Sequence, residues 1–219
     1  MNSTSTVLEI YLENIGKKFG REWIFRNLDI SFCDSSRYAI IGGNGSGKST
    51  LLQIVSGFLS CSEGNVRWSQ QGKEIPFEKL FRHVTLCTPL LSLYDDLTLD
   101  EQVDLWCKFR SLKQDMSIGE FADRIELSKH RNKKLRNFSS GMRQRVKLGL
   151  AILTESDILL LDEPVSHLDA NAINWFQELL KTHAGNRSLF VASNSIQDEF
   201  FLCEKSIDIQ EYKKTNQTS

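Results

Sequence analysis

With 219 residues, 40% hydrophobic and 25% charged, the chain has the size and composition of one soluble globular domain, or of a core carrying an inserted subdomain. A net charge of −1 excludes a global pull toward nucleic acid or an anionic membrane surface. No apolar run nears the roughly 20 residues that span a bilayer, residues 1–6 lack the features of a secretion signal, and five scattered cysteines fit reduced cytosolic thiols.

Residues 7–15 and 23–32 read as β-strands, with Gly16 and Gly20 punctuating the turn between them. Residues 38–41 form a short apolar run, the mark of a buried strand, and lead into a glycine-rich segment and then a helix from Thr50. Residues 57–64 read as a polar turn, 65–68 as a short strand, 70–73 as a hairpin tip, and 84–87 as a buried strand closed by Pro89. Thr98 and Glu101 make a capping box ahead of a helix. Its Leu99, Val103, Trp106 and Phe109 share one apolar face. Ser117 and Glu120 repeat the box before Ile118, Phe121, Ile125 and Leu127. A third helix starts near Ser139, with Met142, Val146, Leu150 and Leu153 on one face. Then the period changes: residues 158–161 and 188–192 are strand-length apolar runs separated by a helical stretch, 171–181. Residues 205–210 suit an edge strand, and 211–219 a frayed polar tail. Strands alternating with helices predict a mainly parallel sheet covered on both faces.

Between strand and helix stands Gly42-Gly43-Asn44-Gly45-Ser46-Gly47-Lys48-Ser49-Thr50, a match to G-x-x-x-x-G-K-[ST]. A loop that wraps phosphate oxygens turns its N–H groups inward through conformations that a Cβ disfavours, hence the glycines. Lys48 suits the β- and γ-phosphates, and the Ser49 hydroxyl suits Mg²⁺. The helix N-terminus behind them adds unpaired N–H groups. A second carboxylate site lies where residues 158–161 end in Asp162 and Glu163, at the sheet edge where ligands bind. Asp162 is placed to hold Mg²⁺, and Glu163 to act as general base toward a water.

Residues 138–145, Phe-Ser-Ser-Gly-Met-Arg-Gln-Arg, resemble the signature of the ATP-binding-cassette (ABC) ATPases, usually L-S-G-G-Q followed by basic residues. Ser139 and Gly141 fit that form; Phe138, Ser140 and Met142 depart from it. The resemblance implies an α/β fold: a P-loop NTPase, RecA-like core with an N-terminal antiparallel β-subdomain and an inserted α-helical subdomain. It divides the single domain into 1–88, 89–150 and 151–219. It further implies that Ser139, Ser140 and Gly141 meet the nucleotide across a dimer interface, that Phe19 stacks on adenine with Trp23 as a rival, and that residues 166–169 cross to the partner.

Two positions depart from the family. Thr88 stands where the resemblance calls for glutamine, and Asn194 where it calls for histidine. Both positions belong to the family's catalytic set, so slow hydrolysis is expected. His167 and His183 are not substitutes, the latter ending a surface helix. The basic run 129–136 reads as a solvated loop or as a contact for lipid headgroups or an acidic partner.

The resemblance implies an ATPase that binds ATP and Mg²⁺ and works as a homodimer or heterodimer. It would power a separate transmembrane permease of bacterial exporter type, peripheral on the inner, cytoplasmic face of the membrane through that partner alone, with no nucleic acid bound. A soluble ABC ATPase driving assembly, as in iron–sulfur cluster biogenesis, and an ATP sensor of low turnover are the alternatives.

Overall fold

A computed structural model describes residues 8–33 and 36–213. In chain order the elements are β1 (Leu8–Phe19), β2 (Glu22–Phe32), β3 (Arg37–Ile41), α1 (Lys48–Val55), β4 (Glu63–Gln70), β5 (Lys73–Glu74), α2 (Phe77–Leu80), β6 (Val84–Cys87) and α3 (Leu99–Cys107). They continue with α4 (Ile118–Arg124), α5 (Ser140–Ile152), β7 (Ile158–Asp162), α6 (Ala170–His183), β8 (Ser188–Ser193) and β9 (Lys205–Asp208).

Two sheets result. One is antiparallel, β2-β1-β4-β5; the other is parallel, β6-β7-β8-β3-β9. Side chains alternate across the parallel sheet as the pleat requires. Ile158, Leu160, Phe190 and Ala192 point to a core shared with α1 and β1. Leu159, Leu161, Leu189 and Val191 point to a second core shared with α3 to α6. Both faces are therefore dry, which is why these strands read as continuous apolar runs. The fold is the RecA-like arrangement with an antiparallel sheet at the N-terminal side.

Both capping boxes form: Thr98 Oγ1 accepts from Glu101 N, and Ser117 Oγ from Glu120 N. Several expectations need correction. Gly16 lies within β1, which runs on to Phe19 and leaves Gly20 alone in the turn. A register shift near Gly16 marks a bulge that lets the strand twist past Trp23. Helix α3 stops at Cys107, so Phe109 leaves the apolar face and is 73% exposed. Strand β4 begins at Glu63, inside the segment read as a turn. Helix α1 begins at Lys48, two residues early, and α6 spans two further residues at its end. His183 does end α6, yet it is buried, not on the surface. Strand β9 lies at the sheet edge as expected but stops at Asp208. Of the expected tail, residues 214–219 lie outside the described residues.

The basic run is not a bare solvated loop. Arg131 pairs with Asp100 at 2.8 Å and Arg136 with Asp96 at 3.0 Å, fastening the loop before α5 to the start of α3. All five cysteines are free, and burial pushes the thiols of Cys87 and Cys203 up to about 12. No helix among the described residues is long and apolar enough to cross a membrane.

Candidate functional site

Three neighbouring strands deliver the site. In the parallel register Ile41 of β3 lies opposite Ser193 of β8, and Ala192 opposite Asp162 of β7. The glycine loop, Asn194 and Glu163 therefore leave the same edge of the sheet side by side.

The loop is built around backbone that side chains do not tolerate. Gly47 has φ 107°, and a Cβ there would stand 2.6 Å from Ile24 Cγ2 and 3.0 Å from Phe25 Cδ1. Gly42 has φ 149°, and its Cβ would stand 2.7 Å from Ser46 Oγ. Glycine lets the chain fold tightly against β2, in the backbone conformations that a phosphate-wrapping loop needs. Gly43, Asn44 and Gly45 form the exposed outer turn, closed by Ser46 N donating to Gly43 O at 3.1 Å. Ser49 and Thr50 lie in the first turn of α1.

Lys48 is buried (4% exposed) and bends back over the loop. Its Nζ donates to Gly42 O at 2.9 Å, to Gly43 O at 3.2 Å and to Asn194 Oδ1 at 2.6 Å. Asn194 Nδ2 in turn donates to Glu163 Oε1 at 2.9 Å. One amide thus joins the loop lysine to the carboxylate. Glu163 itself has φ 46°, and its N–H donates to Ala192 O at 3.0 Å, which turns the chain sharply after β7.

Beside this chain of contacts lies Asp162, buried, with a hydrogen bond from Ser49. Burial pushes its carboxyl above the usual range; the Ser49 bond opposes that, the Glu163 charge adds to it, and Lys48 opposes it. Its Oδ1 has no protein partner, nor has the buried Ser46 Oγ. Buried polar atoms without partners are rare. Here they lie in the glycine loop and beside Lys48 and Ser49, a set of groups that suits a phosphate chain with a divalent cation held by Ser49 and Asp162.

The other expected residues lie around this centre. Thr88 follows β6, whose Cys87 is opposite Leu161, so Thr88 flanks Asp162 one strand away and is buried. It also lines a groove of about 590 Å³ with Phe58, Phe81, Leu86, Leu90 and Trp106. Phe19 is 53% exposed at the end of β1, with Lys17 Nζ 5.1 Å from its ring centre. Trp23 is half-buried, with Arg26 at 4.2 Å and Lys18 at 5.1 Å from its ring, so Phe19 is the more exposed of the two aromatics.

Ser139 caps α5, its Oγ accepting from Met142 N at 3.2 Å. Ser140 opens that helix, and a Cβ on Gly141 would lie 3.3 Å from His167 O. The start of α5 is thus packed on the loop after Glu163 and not on the glycine loop. Gln144, within the 138–145 segment, is buried, and its Nε2 donates to Pro164 O at 2.9 Å. Glu199 is buried as well and does not stand out in sequence, because it sits in an ordinary polar stretch.

Residues 25–166 match the family model described as ABC transporter. An uncharacterised ABC transporter ATP-binding protein of Bacillus subtilis, YybJ, is 29% identical over 199 residues, covering 90% of each chain. The Fe(3+) ions import ATP-binding protein FbpC of Fusobacterium nucleatum is 27% identical over 166 residues, which is 74% of this chain and 44% of that one. The dimeric cassette MJ0796 in a post-hydrolysis state with ADP and Pi superposes with a TM-score of 0.76 at 24% identity, over 92% of this chain and 95% of that one. With a glycine loop, a strand-end carboxylate pair and a capped signature helix on that fold, the chain belongs to the ABC transporter ATP-binding family, a family of ATPases.

Proposed function

We propose that the chain is the ATP-hydrolysing subunit of a transporter whose membrane-spanning part is a separate permease. It works as a homodimer or heterodimer of cassettes on the cytoplasmic face of the membrane, and export is the direction suggested by the Ser140 and Met142 variant of the signature. The observation that carries the reading is the joining of Lys48, Asn194 and Glu163 beside Asp162 at one sheet edge.

Each residue has a task in that reading. The N–H groups of residues 42–50 and Lys48 bind the β- and γ-phosphates, and Phe19 stacks on the adenine. Ser49 and Asp162 would hold Mg²⁺, which when bound neutralises charge on the phosphate oxygens. Glu163 accepts the proton of the attacking water, with its carboxylate aimed by Asn194 Nδ2. Lys48 stays on the transferred phosphoryl group, where charge grows. Ser139, Ser140 and Gly141, turned away from their own loop, present the N-terminus of α5 to the phosphates of the partner subunit.

The three-part division at 1–88, 89–150 and 151–219 then has a mechanical sense: the helical part carries the signature and the flanking parts carry the phosphate site. The groove beside Thr88 is the proposed seat of the permease. Phe58 and Leu90 on its rim are 83% and 82% exposed, an apolar surface that an apolar permease segment would cover.

The test is Lys48→Ala. Losing a charge-assisted contact weakens MgATP binding by about tenfold or more, and phosphate release falls with it. Unchanged nucleotide affinity and turnover would overturn the phosphate-loop assignment.

A further inference from the structure

Lys17 is a buried lysine that the phosphate site does not use. It is 9% exposed, and its Nζ donates to Ser60 O at 2.7 Å. The same Nζ lies over the ring of Phe19, 5.1 Å from its centre. Lys17 is opposite Phe25 of β2, and Phe25 packs on the glycine loop, where a Cβ on Gly47 would stand 3.0 Å from its Cδ1. The lysine and the ring it backs therefore stand next to that loop.

We propose that Lys17 is a positioning residue for nucleotide affinity: its ammonium, fixed by Ser60, backs the Phe19 ring and readies the ring to stack on the adenine. The inference rests on the stacking role proposed for Phe19.

Two physical effects act together in this placement. An exposed phenylalanine samples several rotamers in water and must be stilled when a base stacks on it. A cation over one face holds the ring beforehand and removes part of that cost. The second effect is electrostatic. The face of an aromatic ring is negative, so two rings stacked face to face repel, and an ammonium behind one ring draws charge back from the other.

Both effects require an ammonium that stays in place. The bond to Ser60 O holds it there, and the Ser60 segment is fastened in turn to the end of β1. Ser62 N donates to Gly16 O at 2.7 Å, and Lys18 N donates to Ser62 Oγ at 3.1 Å. Phe19 itself is 53% exposed, so the ring keeps open surface for a ligand.

The role concerns the base alone, so a ligand without a base separates it from general damage to the site. Wild type, Lys17→Met, Lys17→Arg, Phe19→Ala and the Lys17→Met/Phe19→Ala double variant are titrated by calorimetry with a non-hydrolysable MgATP analogue and with magnesium tripolyphosphate. Steady-state phosphate release gives KM and kcat for MgATP. Methionine keeps the apolar stem and removes the charge; arginine keeps the charge. Lys17→Met is expected to weaken the ATP analogue by about two- to fivefold, the scale of one cation–π contact, and to leave tripolyphosphate affinity unchanged. KM should rise to match while kcat stays within about twofold. Lys17→Arg should bind both ligands as wild type does. In the double variant the lysine change should add nothing to the loss caused by Phe19→Ala.

Wild-type affinity of Lys17→Met for the ATP analogue overturns the proposal, as does a Lys17→Arg protein as weak as the methionine one. An equal loss for both ligands overturns it too, because Lys17 then serves the fold of the loop and not the base. A further loss in the double variant shows that Lys17 acts without Phe19 and has the same consequence. Should Lys17→Met not fold, Lys17→Gln, which keeps a donor without the charge, takes its place under the same criteria. Unchanged affinity in Phe19→Ala overturns the stacking role and this proposal with it. A loss in Phe19→Ala beside a wild-type Lys17→Met overturns the Lys17 role alone.

Discussion

Lys48 Nζ donates a 2.6 Å hydrogen bond to Oδ1 of Asn194, a residue 146 positions further along the chain. Lysine only donates and an ionised carboxylate only accepts, so the amide between Lys48 and Glu163 fits one way round. Asn194→Asp turns an acceptor toward Glu163 and sets two carboxylates side by side. Asn194→Ala merely frees both neighbours. Asn194→His restores a longer donor that can carry charge. The expected order of kcat is histidine at or above wild type, then alanine, then aspartate, with losses of about 10²–10³ for a missing transition-state donor. Steady-state phosphate release at saturating MgATP gives the order directly, and an aspartate variant matching wild type excludes the bridging role.

Gly47→Ala should fail for a reason separate from charge. Its φ of 107° lies where L-residues rarely go, and the new methyl would meet Ile24 Cγ2 at 2.6 Å. Strain of this kind is worth about 1–3 kcal/mol. Either β2 shifts or the loop opens, so a lowered Tm together with weakened ATP binding is expected. A Tm and nucleotide affinity both equal to wild type would mean that the loop relaxes freely.

The glycine loop and the Asp162–Glu163 strand end are legible in sequence because their residues are contiguous and each type has one physical use there. The helices of residues 98–152 are legible through their caps, since Thr98, Ser117 and Ser139 each satisfy an N–H within three residues. Phe109 misleads because periodicity does not register where a helix stops, and α3 ends two residues before it. Other features depend on packing between distant segments. Asn194 as a bridge, the pairing of Arg131 with Asp100 and the burial of His183 belong to that group. The two aromatics near residue 20 are separated only in space, where Trp23 is half-buried under Arg26 and Lys18 and Phe19, with Lys17 near its ring, is the more exposed.

The packing of α5 on its own 163–169 loop fixes what Glu163→Gln should do. Gln144 Nε2 donates to Pro164 O at 2.9 Å, and Gly141 lies against His167 O, so the signature end is fastened to that loop. Replacing the proposed base is expected to remove hydrolysis and leave the nucleotide contacts intact. Glu163→Gln with MgATP is therefore expected to accumulate as a dimer, and light scattering with and without nucleotide reads the mass. A variant that binds ATP and stays monomeric, even with the proposed permease, counts against the proposed shared site.

His183 should give the protein an acid-sensitive stability. Burial is the main cause holding its pKa below the usual value, and Arg124, Lys113 and Arg187, from three different segments, add to it. Arg124 Nη1 lies 3.3 Å from Nε2, a contact that the neutral ring accepts and the imidazolium cannot. In the unfolded chain the same ring titrates near its ordinary value of about 6.5. Above that pH the ring is neutral in both states, and its contribution to stability is fully present. As pH falls below it, the unfolded chain takes up a proton that the folded chain refuses, so stability declines until the depressed folded pKa is passed. His183→Gln removes the titration and keeps an acceptor for Arg124. Thermal melts of both proteins at pH 7, 6 and 5 should show the wild type losing more Tm on acidification than the variant. Parallel slopes would mean that the folded ring protonates as readily as the unfolded one, with Arg124 moving aside to allow it.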